Sequence, residues 1–566
     1  MPEAQKQEAG APRSATIPSK LETLMVAFFG AAASAFGAVY LGKGVSWDQK
    51  NYHHYDVYAW IHGLMDYHFF PAGMHSWMNP LAYVPQYWLV NNAPSVLAGA
   101  LFGGVVGLNL AAVYALTRMV FTGCSRALAV SLALLCAVVG FWDPSIVGML
   151  GTSDVDNILS LPVLGSLCLL CWAIRAGTPA RQGQKAFAAA GALLGLAAGL
   201  KWTFFVYAVG ATLALVVLQP YLRLDRRNLL WFGASGVIGY LPAGGYWNWV
   251  LWTNYGNPFF PYWNRYFESS YALRSNYRDL RFLPESLEHA ISYPVRWFLG
   301  MPTVEESFRD ARYALLFVLI AILLAGAVGP RIAGLFFQTR LPEGNREYRA
   351  RDEDSLAARR QGWFLLAFFL FSFAIWMYLF AIQRYLSPLG LLTGLVMLLA
   401  LDWIVAARAA KLAAFCALAF FSLFWMQGDF RSWRVPYGAG WFGLGLPPEL
   451  KQPNSLFVLL GGEPIGYVVA YLPGTVRVVR LLDVIVPQDG TQTALAARAE
   501  RILSQHTGAM RTLSGGALSD ADLAYLKRFG LALLSECVEF RSDTDRLTSC
   551  ALTRESPAEP LEKQAN

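Results

Sequence analysis

The fold turns on the stretch FAAAGALLGLAAGLKWTFFVYAVGATLALVVL, from Phe187 to Leu218. Crossing the hydrocarbon core of a bilayer takes about 20 apolar residues in a helix. The run is too long for one crossing, yet it leaves almost no loop for two. Its flanks settle the matter. Arg175, Arg181 and Lys185 precede it, and Arg223, Arg226 and Arg227 follow it. Lys and Arg concentrate in cytoplasmic loops, so both ends belong on one side. Two short helices meeting near Gly199, Lys201 and Trp202 satisfy that condition; a single helix does not.

Working outward, similar apolar runs lie at 21–41, 96–117, 128–142, 158–174, 229–252, 313–337, 363–382, 386–406 and 412–426. With the two halves of the opening stretch they predict about eleven membrane spans. Arg118 with Arg126, the segment from Arg331 through Arg360, and Arg408 with Lys411 fall in alternate loops. The N-terminus is therefore expected in the cytoplasm, and the loops 42–95, 143–157, 253–312 and 383–385 on the outer side, with everything after Met426. The first span contains Ala33-Ser34-Ala35, similar to a signal-peptidase site, but its apolar run is longer than a cleaved signal carries, so an uncleaved anchor is expected. Residues 1–20 and 556–566 read as disordered tails.

Composition agrees. The 566 residues are 55% hydrophobic and 15% charged, against roughly 25% charged for a soluble domain, and the mean hydropathy is +0.38. The net charge of +7 comes from short basic runs between apolar segments. Such runs anchor spans and argue against a nucleic-acid partner. Cys168 and Cys171 form a C-x-x-C inside an apolar helix, without the exposed helix start of a redox pair. Cys537 and Cys550 lie in a region expected outside, where a disulfide is plausible. From 429 to 555 the pattern mixes strand-like segments (456–460, 475–481, 537–540) with helix-like ones (491–504, 520–529). The expected fold class is a mainly α-helical polytopic membrane protein, with a catalytic membrane domain over 21–428 and a small extracytoplasmic α/β domain.

Chemistry-bearing side chains collect in the outer loops. The first reads Ser46-Trp47-Asp48-Gln49-Lys50-Asn51-Tyr52-His53-His54-Tyr55-Asp56. If Ser46 caps a helix, Asp48, Tyr52 and Tyr55 share a face with Asn51 beside them. A carboxylate held there suits the general base that a sugar transfer needs, and equally suits the positive end of a helix dipole. Asp154-Val155-Asp156 in the second outer loop is a candidate site for a divalent cation such as Mg or Mn, or a capping cluster. His53 and His54 could also be metal ligands, but they project apart on a helix and are expected to pack. Lys201 and Arg384 are cations at the outer membrane edge, suited to a lipid phosphate or to snorkelling. Asn257 lies in Tyr255-Gly256-Asn257-Pro258-Phe259-Phe260-Pro261-Tyr262-Trp263-Asn264, whose prolines forbid a regular helix while presenting aromatics.

These residues carry a family resemblance. Trp47-Asp48 with Asn51-Tyr52-His53, Asn79-Pro80, Gly256-Asn257-Pro258-Phe259-Phe260-Pro261, Arg384-Tyr385-Leu386 with Pro388, and Gly462-Glu463-Pro464 resemble bacterial members of the GT-C superfamily of integral-membrane glycosyltransferases. The resemblance implies an inverting transferase on the periplasmic face of the bacterial inner membrane. Its donor would be a polyprenyl-phosphate sugar and its acceptor a cell-envelope glycan or lipid. It further implies Asp48 as catalytic carboxylate and Arg384 as donor-phosphate ligand; Lys201 joins Arg384 as a candidate phosphate ligand from its position alone. Asn51, Tyr52, His53, Tyr55 and Asn257 are expected to contact substrate. No Asp-Glu pair follows Trp47 and no Trp-Trp-Asp motif appears, so the chain departs from the pattern of enzymes that glycosylate protein. No Gly-rich phosphate loop for a nucleotide sugar is present either. The rival readings are a secondary transporter or lipid flippase, and a noncatalytic partner in envelope assembly.

Overall fold

The computed structural model describes residues 18–121, 124–175, 178–334, 346–481, 483–485, 491 and 493–554. The two expected tails, up to residue 17 and from 555, and residues 335–345 of the basic loop lie outside the described residues.

Among the described residues, eight helices are long and apolar enough to cross a membrane: Lys20–Leu41, Ser95–Val120, Asp156–Ile174, Ala180–Leu200, Trp202–Leu222, Leu356–Leu379, Gln383–Ile404 and Arg408–Trp425. The shorter apolar helices Arg126–Phe141 and Arg312–Gly326 fill two more expected places. A near-continuous run through Arg226–Tyr240, the π-helical Leu241–Gly245 and Tyr246–Tyr255 fills the last. The chain is an integral membrane protein of polytopic helical fold. The opening stretch is two helices, Ala180–Leu200 and Phe205–Leu222, joined by a turn through Lys201.

Glycines set how closely these helices approach. On Ala180–Leu200, Gly191, Gly195 and Gly199 recur every four residues and so share a face. A Cβ at Gly195 would lie 1.9 Å from the carbonyl oxygen of Gly236, and one at Gly191 2.0 Å from that of Phe232. Backbone meets backbone there, the small-residue packing that membrane helices use where hydrophobic burial gives no drive. The Asn79 amide ties the first loop to the same corner, donating to the Gly199 oxygen at 2.9 Å and the Ala243 oxygen at 3.2 Å.

The Gln383–Ile404 helix is the most enclosed span, 83% buried. Near its N-terminal end Arg312 is fully buried and donates to Asp310 Oδ1 at 2.9 Å, to Asp310 Oδ2 at 2.7 Å, to Asp143, and to the carbonyls of Gly140 at 3.1 Å and Gly390 at 3.5 Å. An unpaired charge at this depth would cost several kcal/mol, so the network welds three helix ends together.

The loops expected on one side do meet at one end of the bundle. Strand β1 (Lys43–Gly44) of the first loop pairs with β4 (Arg434–Val435), and β2 (Phe308–Arg309) pairs with β3 (Gln427–Gly428). Over them sits the C-terminal α/β domain. Its sheet runs β6-β5-β7-β9-β8, from β5 (Leu456–Leu459), β6 (Arg477–Arg480), β7 (Met510–Leu513), β8 (Leu531–Arg541) and β9 (Arg546–Arg554). The first three are parallel and the last two antiparallel to their neighbours. Cys537 and Cys550 face each other across β8 and β9 and are disulfide-bonded, while Cys168 and Cys171 are free. The helices Ala494–Gln505 and Asp520–Arg528 match the expected ones; β7 and β9 were not anticipated.

Candidate functional site

The site forms where the first loop meets the head of the Gln383–Ile404 span. Ser46 Oγ accepts from the Gln49 amide at 3.3 Å, as a helix cap should. The chain then departs from the expected α-helix: Gln49–His53 is π-helical. The widened turn inserts a residue and alters which side chains share a face. Asp48 and Tyr52 remain in the site, whereas Tyr55 lines a separate pocket with His68, Trp77 and Tyr255.

Asp48 is 7% exposed, and its Oδ2 lies 3.0 Å from Arg384 Nη1. Arg384 sits on the 3-10 turn Gln383–Leu386. Lys201 comes in from the turn of the opening stretch, its Nζ donating to Asp156 Oδ2 at 2.7 Å. Lys201 and Arg384 each stand 5.3 Å from the Tyr385 ring centre. The Tyr207 hydroxyl donates to the Tyr385 carbonyl and holds that residue in place. Asp48, Arg384 and Lys201, read from three separate segments, thus converge.

The expected Asp154–Asp156 pair is divided. Asp156 opens its helix and is taken by Lys201, whereas Asp154, in the turn before, groups with Asp48 and His53. These three offer ligand atoms that all lie within 4.8 Å of one another. His53 Nδ1 shares a 2.7 Å hydrogen bond with Ser153 Oγ, and its Nε2 has no partner. Asp154 Oδ2 accepts from the Thr152 hydroxyl at 2.9 Å. Two carboxylates and an imidazole, with outer hydroxyls orienting two of them, make a donor set suited to a divalent cation. His54 turns away to Asn91.

Electrostatics separate the acids. Burial raises the Asp48 carboxyl, but Arg384, followed by the neighbouring histidines and Lys201, more than reverses this and holds it below the ordinary range. Asp154 goes the other way, raised by burial and then by Asp48. Burial lowers His53 to about 3 and His75 to about 4, against the pull of Asp48 in each case, so both rings are neutral at pH 7.

Aromatics wall the site. His53 stacks on Tyr83 at 3.9 Å and Tyr52 on His75 at 5.2 Å. Asn51 donates to the Ala72 carbonyl at 3.0 Å. Asn257 is fully buried within its own loop: it donates to the Tyr262 carbonyl at 2.9 Å and accepts from the Phe259 amide at 2.9 Å. These bonds hold the turn that sets Phe259 and Trp263 beside Trp202.

A narrow cleft, open to solvent, leads from Asp154 and Arg384 to Glu306, Trp433 and Arg434. Burial raises the Glu306 carboxyl. None of these last three was singled out in the sequence, and no motif surrounds them. Buried polar atoms are normally paired. Here Arg384 Nε, both amide atoms of Gln383, His53 Nε2 and Asp156 Oδ1 are buried without a protein partner. Of these, Arg384 borders the cleft, so its Nε is free for a polar ligand there.

No family model and no curated protein sequence matches the chain. Among solved structures it is similar to the crystal structure of ArnT from Cupriavidus metallidurans bound to undecaprenyl phosphate, at 13% sequence identity and a TM-score of 0.45, over 94% of this chain and 97% of that one.

Proposed function

We propose that this chain is a membrane glycosyltransferase that moves a sugar from a polyprenyl-phosphate donor to a cell-envelope glycan or lipid acceptor, on the periplasmic face of the bacterial inner membrane. The observation that carries this reading is the buried Asp48–Arg384 pair, 3.0 Å apart, with Lys201 sharing the Tyr385 ring. Two cations, Arg384 paired with Asp48 and Lys201 paired with Asp156, stand together at the end of the bundle, and a lipid phosphate would compete with those carboxylates for them. A transporter would be expected to keep its charges near the midplane of broken spans.

The chemistry follows from those groups. Asp48 takes the proton of an acceptor hydroxyl as that oxygen attacks the anomeric carbon. The bond from that carbon to the phosphate oxygen breaks on the opposite face, which inverts the centre and releases polyprenyl phosphate. Arg384 and Lys201 stabilise the charge that develops on the leaving phosphate. Arg384 borders the cleft and its Nε has no protein partner, so it has a donor to spare for it. A donor phosphate on Arg384 also draws that cation from Asp48, making the carboxylate a stronger base as substrate binds. Asp48, His53 and Asp154 would hold a divalent cation, which would supply further stabilisation of negative charge at the same point.

Binding of polyprenyl phosphate to the protein in lipid nanodiscs tests the phosphate assignment. Arg384→Ala should weaken it by about 1.5–3 kcal/mol, the worth of a charge-assisted hydrogen bond. Unchanged affinity, or protein-dependent translocation of the lipid without sugar transfer, would turn the reading toward a flippase.

A further inference from the structure

Two lysines flank Asp48 in the first loop, and both are buried. The Lys43 side chain has 0% of its surface exposed and that of Lys50 8%. Both reach into one turn of the C-terminal domain, the link between β8 and β9. Lys43 Nζ donates to Asp543 Oδ2 at 2.7 Å and to the Gly440 carbonyl at 3.3 Å. Lys50 Nζ donates to Asp545 Oδ1 at 2.7 Å. The other oxygen of Asp545 accepts from the Tyr467 hydroxyl at 2.8 Å and from the Thr544 hydroxyl at 2.6 Å. The pair is therefore held from behind as well.

Backbone contact reinforces the ion pairs. A Cβ on Gly466 would lie 1.9 Å from the Asn51 carbonyl oxygen, so the domain's main chain lies directly on the π-helical segment that follows Asp48. Burying two ammonium groups carries a desolvation penalty that only well-made pairs recover. Apolar packing would join the domain to the bundle without that penalty. The ion pairs add a fixed register at the residues either side of the carboxylate.

We propose that the β8–β9 turn with Tyr467 is a clamp that sets the position of Asp48 against Arg384. Lys50, Asp545 and Tyr467 are then positioning residues of the reaction, and the C-terminal domain is part of the catalytic site. This rests on the reading of Asp48 as the catalytic carboxylate.

The test uses full-length protein in nanodiscs, a panel of radiolabelled polyprenyl-phosphate monosaccharides, and hydrogen exchange read by mass spectrometry. Lys50→Met and Asp545→Asn should speed exchange over residues 46–53 and leave the spans unchanged. They should lower kcat for sugar release by about 10²-fold, the effect of displacing a catalytic group by an ångström, with KM moving less. Lys50→Arg should restore turnover. Arg498→Met serves as the control: it removes the 3.7 Å ion pair with Asp66 and the hydrogen bond to that residue's carbonyl, which join the same domain to the same loop away from Asp48, and should leave kcat unchanged. The clamp is overturned if exchange over 46–53 is unaffected in both clamp variants, or if Arg498→Met loses as much activity as they do. Should no donor turn over in the wild type, the exchange data still decide the clamp, and the glycosyltransferase reading fails separately.

Discussion

Asp48 Oδ2 stands 3.0 Å from Arg384 Nη1, so the first loop and the most enclosed span are joined by one ion pair. Burial alone would raise the Asp48 carboxyl, and Arg384 is the foremost influence bringing it below its ordinary value near 3.8. A carboxyl depressed in the folded state contributes stability above its unfolded value, and that contribution is lost as pH falls through the folded one. The pair should therefore stay intact through the neutral range and fail only in strong acid.

The first prediction concerns the pH profile of turnover. Arg384→Gln removes the main influence lowering Asp48, so the acid limb of kcat/KM should move to higher pH. A limb that stays in place or moves lower would show that Asp48 is not the base it reports.

A second prediction concerns metal. Mn²⁺ binding, read by electron paramagnetic resonance, should be lost in His53→Ala and Asp154→Asn. It should weaken by about 10–100-fold in Ser153→Ala, the usual effect of removing a partner that orients a ligand. Asp156→Asn should leave it nearly intact, since that carboxylate is engaged by Lys201. Equal losses from Asp154→Asn and Asp156→Asn would return Asp156 to the donor set.

Helix packing gives a third. At Gly195 any side chain beyond hydrogen would press into the Gly236 carbonyl. Gly195→Leu should lower stability in detergent by about 1–3 kcal/mol or more, as overpacking does, and should displace Lys201 at the helix end. An unchanged thermal midpoint would mean that the two helices separate without penalty.

The fourth uses the buried network. Arg312→Ala leaves Asp143 and Asp310 buried without their cation, a loss of about 3–5 kcal/mol. Arg312→Met with Asp310→Leu should recover part of it. Denaturant unfolding of the three proteins measures the difference.

Much of this architecture was legible in the sequence because its signals are local. Arg175 and Arg227 on the flanks of one apolar stretch were enough to divide it, and the helices meet at Lys201 as the charges require. Lys201 and Arg384 could be picked out as cations at the edges of apolar runs, and Asp48 as the carboxylate near the start of an outer loop dense in polar side chains. The π-helical turn at Gln49–His53 was not legible, since nothing in those five residues distinguishes it from an α-helix, and it took Tyr55 out of the site. Glu306, Trp433 and Arg434 were missed because they become neighbours only through long-range contacts. Strand β7, a four-residue segment carrying Arg511 and Thr512, is buried throughout and shows no alternation to read.

The measurement that bears most directly on the central claim is sugar release from radiolabelled polyprenyl-phosphate monosaccharides by proteoliposomes, comparing the wild type with Asp48→Asn. The account predicts transfer from at least one donor to an envelope acceptor or to water, falling by about 10²–10⁴-fold in Asp48→Asn, the range a positioned general base contributes. Binding of polyprenyl phosphate should be retained in that variant. Release from no donor, or an equal rate in Asp48→Asn, would contradict it.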